Sequence, residues 1–393
     1  MIPRLSDLDV AGKRVLMRVD FNVPVRDGVV GDDTRIRAAL PTIRALLDEG
    51  ATLFLMSHLG RPKGQPDDAA RLGPVAAHLG ALLEREVRYL ACDGPGSEAQ
   101  QAFVASAPEG SVTLLENTRF DARETKNDPS LARILVGYAD AFVNDAFGAM
   151  HRAHASTEGV ARLLPSAVGL LVERELTMLG RLTDAPERPF KVILGGAKVS
   201  DKIGVLENLL DKVDEVFIGG AMAYTFFKAQ GGAVGASLVE DDKLDVARDM
   251  LARAETLGVR VHLPVDSVCA LEVKADVETE VHPSIAIPDG WMGLDAGPVA
   301  VTAWRDALAD AKTVFWNGPL GVFEVPPFDL GTRAVADAVA GLDAFTVVGG
   351  GDSVAAINAS GKADRIDHIS TGGGASLEFL EGTPLPGIEV LRR

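Results

Sequence analysis

The chain has 393 residues, 47% apolar and 24% charged, with 41 Gly and 21 Pro; this is a composition for packed cores, with length for two domains, and it excludes disordered and fibrous classes. A net charge of −17 argues against a non-specific nucleic-acid binder, yet leaves room for a small anion held in a local basic pocket. The longest uncharged apolar run, Val216–Phe227, has twelve residues against the roughly 20 that cross a bilayer, so no membrane partner is expected.

In chain order, Arg14–Val19 reads as the first buried strand. A helix over Thr34–Glu49 follows, behind an Asp32-Asp33 cap. Strands are then predicted at Thr52–Met56, Val112–Leu115 and Ala141–Val143, and a helix at Val168–Leu182. After a polar joint at Thr183–Pro189 come strands at Lys191–Leu194, Glu215–Ile218, Val259–Leu263, Thr313–Phe315, Phe345–Val348 and His368–Ile369. Helices are predicted over Asp201–Lys212 and Lys243–Leu257. Short strands, apolar on both faces and alternating with helices, imply an α/β fold with parallel sheets. The domain division falls near 165–190.

Charge and cysteines add context. Residues 1–168 hold 19 basic and 22 acidic side chains, and 16 of the basic ones are Arg; residues 169–393 hold 20 and 34. The guanidinium fork suits carboxylate and phosphate. The N-terminus lacks the order of a signal peptide, and Cys92 and Cys269 have no metal-like spacing, so a reducing, cytoplasmic setting is expected.

Neither GxxxxGK[ST] nor GxGxxG occurs, which withdraws support from a P-loop kinase or a standard dinucleotide site. Polar residues instead cluster just after the strands, where open α/β sheets bind ligands. In the first part these are Asp20-Phe21-Asn22, Ser57-His58-Leu59-Gly60-Arg61-Pro62, Glu116-Asn117-Thr118-Arg119-Phe120 and His151-Arg152-Ala153-His154. One such Arg would be a surface ion pair. His58, Arg61, Arg119, Arg152 and Arg35 together suggest a pocket for a compact, multiply charged anion. In the second part the strand ends are glycine-rich: Gly195-Gly196, Gly219-Gly220, Gly349-Gly350-Gly351-Asp352-Ser353 and Gly372-Gly373-Gly374. Such turns let backbone N–H groups reach phosphate oxygens, and Asp352 can hold Mg²⁺ against them.

With Gly195–Lys202 and Trp316–Glu324, these segments resemble, in order, the signature segments of the phosphoglycerate kinase family. Thr118 and Met150 stand where that family carries other side chains, at positions not expected to hold ligand. The resemblance implies two doubly wound, Rossmann-like domains joined by a helix and hinge. It implies a 3-phosphoglycerate domain at 1–168, the interdomain helix and hinge at 169–189, a nucleotide domain at 190–379, and a tail at 380–393 returning to the first domain. It further implies a glycolytic enzyme moving a phosphoryl group from 1,3-bisphosphoglycerate to MgADP, giving 3-phosphoglycerate and MgATP, in a hinge-closed complex and as a monomer. Asp20, Phe21, Asn22, Arg35, His58, Leu59, Gly60, Arg61, Arg119 and Arg152 would bind the glycerate. Gly219, Gly220 and Gly293 would lie beside the base, Asn317 and Glu324 near the sugar. Lys198, Lys202 and Gly350–Ser353 would meet the phosphates, with backbone contacts from Gly372, Gly373 and Gly374. Lys202, Arg35 and Lys198 would be catalytic. Two other readings stay open: a kinase for a different carboxylate, and a non-catalytic nucleotide-binding protein.

Overall fold

Runs without polar alternation become central strands. The computed structural model describes residues 1–392. The chain divides into two compact units, one of Met1–Thr177 with the chain from Pro384 on, the other of Met178–Thr383.

In the first unit six strands form one sheet: β1 (Arg14–Arg18), β2 (Thr52–Met56), β3 (Val87–Tyr89), β4 (Val112–Leu114), β5 (Ala141–Asn144) and β6 (Ser166–Val168). Every pairing is parallel, in the order β3-β4-β2-β1-β5-β6. All five residues of β2 are buried, as helices on both faces of a parallel sheet require. Helix α1 (Thr34–Asp48) buries Ile36, Ala39, Leu40, Ile43 and Leu46, and α2 (Gly73–Leu83) buries Val75 and Leu79. These join Val15, Met17, Leu53, Leu55, Val112 and Leu114 in one core, each buried Leu or Ile contributing roughly 1.5–3 kcal/mol. Helices α3 (Glu98–Ala105) and α4 (Pro129–Val136) start on Ser97 and Asp128, whose side chains accept from the Gln100 and Ser130 N–H groups. Such caps satisfy donors that a helix start leaves orphaned. Strand order reverses between β1 and β5, and the loops leaving their carboxyl ends border the crevice where doubly wound sheets take ligands.

Helix α5 (Leu170–Thr183) carries the chain onward. The second unit repeats the plan with β7 (Phe190–Leu194), β8 (Glu215–Ile218), β9 (Arg260–His262), β13 (Thr313–Asn317), β14 (Phe345–Gly349) and β15 (His368–Ile369). They are all parallel, in the order β9-β8-β7-β13-β14-β15, with the reversal between β7 and β13. Ile193, Phe217, Val314, Trp316 and Val348 pack with Trp304, Leu308, Val335 and Val339 from α9 (Pro298–Leu308) and α10 (Leu330–Ala340). Between β9 and β13 lies an antiparallel sheet in the order β11-β10-β12, from β10 (Asp266–Ala270), β11 (Glu280–Pro283) and β12 (Met292–Ala296). The remaining helices include α6 (Ile203–Leu209), α7 (Met222–Ala229), α8 (Leu244–Leu257), α11 (Gly351–Ala359), α12 (Gly374–Leu380) and α13 (Pro386–Glu389). Among the described residues no helix is long and apolar enough to cross a membrane.

Candidate active site

The first unit gathers its cations at the carboxyl ends of β1, β2, β4 and β5, with Arg35 added from the first turn of α1. Hydrogen bonds hold these turns to one another. Arg35 Nη1 donates to the Asn22 carbonyl (3.1 Å) and pairs with Asp20 Oδ2 (3.3 Å). Asn22 Oδ1 accepts from the Gly60 N–H (2.9 Å), and the Gly60 carbonyl accepts from Arg119 Nη1 (2.7 Å). The Phe21 N–H donates to Ser57 Oγ (2.8 Å). Phe21 and Leu59 themselves belong to the core, so only their backbones could face a ligand. Arg61 and Arg152 are exposed.

Electrostatics binds the cluster into one field. His58 is buried with Nδ1 3.1 Å from Arg18 Nη2. Burial, then the cations Arg18, Arg119 and Arg35, push its pKa well below the ordinary histidine range. Burial and Arg18, Arg119 and Arg152 bring His154 down to about 4. Arg119 is lowered by burial, with Arg61 and Arg152 adding to the effect. Both imidazoles are therefore neutral at pH 7, and the arginines carry the charge. Behind them Glu124 is fully buried; burial raises its pKa, against Arg18 and the hydrogen bonds of Ser156. Ser156 donates to Glu124 through Oγ (2.5 Å) and N–H (3.0 Å), and accepts from Arg18 Nε (2.9 Å). Sequence reasoning missed Arg18, His154 and Glu124. The signal for Arg18 was a charge inside the apolar run Val15–Val19; His154 stood in a quoted segment without a role; Glu124 gave none.

In the second unit the turns after β7, β8 and β13 interlock. The N–H groups of Gly195, Gly196, Gly219 and Gly220 donate to the carbonyls of Asn317, Pro319, Leu194 and Leu320 at 2.8–3.0 Å. A Cβ at Gly195 would lie 2.1 Å from the Pro319 carbonyl oxygen, and one at Gly220 2.6 Å from the Gly196 backbone. Packing of turn on turn thus demands these glycines, and their N–H groups are already bonded. Gly293, on β12, is set by Tyr224, whose hydroxyl would lie 2.1 Å from a Cβ there.

The start of α11 is different. A Cβ at Gly351 would meet nothing within 4 Å. The first-turn N–H groups of a helix have no helical acceptor, and the positive end of its dipole lies there. Asp352 is exposed in this turn, while Ser353 is buried and its Oγ accepts from the Gly318 N–H (2.5 Å). At the start of α12, the Gly372 N–H donates to Ser370 Oγ (3.2 Å), and a Cβ at Gly373 would meet nothing within 4 Å.

Lys202 immediately precedes α6, and its ammonium donates to Asn317 Oδ1. Asn317 Nδ2 donates to the Gly349 carbonyl (2.7 Å). Asn317 is buried and engaged on both sides, so it holds the Lys202 ammonium against the end of β14. Burial lowers the Lys202 pKa, opposed by Asp201, Asp352 and Glu381. The helix predicted from Asp201 starts at Ile203 because a turn closed by Lys202 N–H to Val199 O (2.9 Å) precedes it. Lys198, exposed in the stretch ahead of that turn, therefore lies outside the helix. Glu324 is exposed.

The profile of the phosphoglycerate kinase family matches residues 5–383. A phosphoglycerate kinase of Thermus thermophilus is 60% identical over 388 residues, covering 98% of this chain and 99% of that protein. One of Deinococcus radiodurans is 58% identical over 389 residues, covering 98% and 94%. The solved structure of the Coxiella burnetii phosphoglycerate kinase has a TM-score of 0.89 at 39% identity, over 100% of this chain and 99% of that one. The Pyrococcus horikoshii phosphoglycerate kinase gives 0.86 at 33% identity, over 100% and 98%. Identity of this extent, with the two-sheet fold and the ordered segments, places the chain in the phosphoglycerate kinase family, and it is an enzyme of the kinase class.

Proposed function

We propose that the chain catalyses reversible phosphoryl transfer from 1,3-bisphosphoglycerate to MgADP, giving 3-phosphoglycerate and MgATP. One observation carries the substrate assignment. In a chain of net charge −17, Arg18, Arg35, Arg61, Arg119 and Arg152 act with His58 and His154 in a single field on one unit. A phosphate and a carboxylate on a three-carbon chain match such a concentration of planar forks. In this reading Arg61, Arg119 and Arg152 face the non-transferred phosphate, and Asp20 and Asn22 address the hydroxyl and carboxyl region.

The opening of α11 takes the nucleotide phosphates on its first-turn N–H groups. Asp352 suits a hard divalent cation, since an exposed carboxylate beside phosphate oxygens is how Mg²⁺ is commonly held. Among the described residues no cluster of three or more metal-ligating side chains occurs. When bound, Mg²⁺ supplies charge neutralisation on those phosphates.

The acceptor oxygen of ADP attacks the acyl phosphorus in line. The bond from phosphorus to the carboxyl oxygen breaks and 3-phosphoglycerate leaves as a carboxylate. Both oxygens are ionised at pH 7, so no proton moves and no general base is needed. Catalysis then consists of alignment and cancellation of charge on the transferring group. Lys202, oriented by Asn317, is placed for that cancellation, with Arg35 from the glycerate side. The groups belong to separate units, so transfer requires closure about the joint at 183–189, which also excludes water. The reading is tested by ADP release from MgATP with 3-phosphoglycerate, acetate or aspartate as acceptor. Activity with 3-phosphoglycerate alone is expected; equal activity with acetate would overturn the substrate assignment.

A further inference from the structure

We infer that Asn117, sealed from solvent, is the positioning residue that holds the turns of the oxyanion pocket in register; this rests on the reading of that pocket given above. Asn117 follows β4 and is fully buried. Its Nδ2 donates to the Leu59 carbonyl at 2.7 Å and to the Ala70 carbonyl at 2.8 Å, and its Oδ1 accepts the Arg119 N–H at 3.0 Å. A primary amide has two N–H donors and one carbonyl oxygen, so both donors and the oxygen are in use. One side chain thereby ties together three segments: the turn carrying His58 to Arg61, the segment ahead of α2, and its own turn carrying Arg119. The bonds continue from Arg119 Nη1 to the Gly60 carbonyl, from the Gly60 N–H to Asn22, and from Arg35 to Asn22.

Glu116 fastens the other side of the same turn. Its Oε1 accepts the Asn117 N–H (2.7 Å), and its Oε2 accepts from Tyr89 Oη (2.6 Å) and Arg71 Nη1 (3.1 Å). The amide chemistry of Asn117 matters as much as its shape. A carboxylate there could still accept from Arg119 through one oxygen, but would set the other against two carbonyl oxygens with nothing to donate. Buried bonds left unmade are costly. The pocket's geometry, rather than its charge, therefore depends on Asn117.

The test is Asn117→Asp in the full chain, with KM measured separately for 3-phosphoglycerate and MgATP. KM for 3-phosphoglycerate is expected to rise at least tenfold while KM for MgATP stays within twofold. A folded variant with an unchanged KM for 3-phosphoglycerate, or with equal rises in both, overturns the assignment. Should this variant not fold, deuterium exchange of the side-chain amide in wild-type chain labelled with ¹⁵N-asparagine decides. Exchange of the Asn117 Nδ2 protons over hours is expected, and exchange within seconds overturns the clamp. If the wild type does not phosphorylate 3-phosphoglycerate, the functional reading falls, and the exchange measurement still judges the clamp.

Discussion

Replacing Gly351 by Ala should leave the fold intact and weaken nucleotide binding. A Cβ there meets no protein atom within 4 Å, and the backbone is outside the left-handed region. Gly351 is the first residue of α11, where Ala is at least as favourable as Gly, by up to roughly 1 kcal/mol. The melting temperature should therefore hold or rise by about 1–4 °C. The added methyl enters the open space at the helix start where the nucleotide phosphate is proposed to lie. Losing one charge-assisted N–H bond to phosphate costs about 1.5–3 kcal/mol, a rise in Kd for MgADP of roughly tenfold to 150-fold. Isothermal titration with MgADP and thermal denaturation of the same sample decide. An unchanged Kd would refute the placement of phosphate at this turn, and a large fall in Tm would refute the claim of open space. Gly220→Ala is the contrast: its Cβ would lie 2.6 Å from the Gly196 backbone at a φ of +65°. A left-handed φ costs a non-glycine residue roughly 1–2 kcal/mol and overpacking about 1–3 kcal/mol, so Tm should drop before any ligand is added.

Lys202→Ala should lower kcat by roughly 10²–10³ with smaller effects on either KM, a loss on the order of 3–4 kcal/mol as for a missing oxyanion donor; steady-state kinetics returning a near-wild-type kcat would remove Lys202 from the mechanism. Arg119→Ala should weaken 3-phosphoglycerate binding and spare MgADP, and calorimetry showing lost nucleotide affinity would mean the two pockets are misdrawn. Asp145 is fully buried, accepts the Leu171 and Val172 N–H groups (3.0 and 3.2 Å), and has its pKa raised by burial to about 7. The folded chain then keeps a proton that the unfolded chain releases, so this group's contribution is full below about pH 4 and lost as pH rises through about 7. Asp145→Asn should gain on the wild type between about pH 5 and 8 by on the order of 2–3 kcal/mol. Parallel calorimetric curves for the two proteins would show that the carboxyl does not titrate there.

Much of the fold was legible because local pattern and burial agree. The run Thr52–Met56 is apolar throughout and is buried throughout; the helix read over Lys243–Leu257 forms at Leu244–Leu257 and ends on Gly258 at a φ of +72°. Short or half-buried strands were not legible. Val87–Tyr89 is a three-residue edge strand, half-buried at every position, and Ser166–Val168 is three residues pressed between a proline and a helix. The antiparallel sheet was missed because its strand β11 is mostly exposed and carries no apolar run. The candidate residues on turns were read from their position after strands, but their partners were not. That Gly195 meets Pro319, or that Asn117 holds Leu59 and Ala70, depends on contacts between segments far apart in the chain.

The proposed reaction moves a phosphoryl group between ATP and 3-phosphoglycerate. The direct measurement is NADH consumption by wild-type protein given 3-phosphoglycerate, ATP and Mg²⁺, coupled through glyceraldehyde-3-phosphate dehydrogenase. NADH should be oxidised, and the oxidation should stop when any one of the three is withheld. A folded chain that consumes no NADH under these conditions, or consumes it equally without 3-phosphoglycerate, would contradict the proposed reaction.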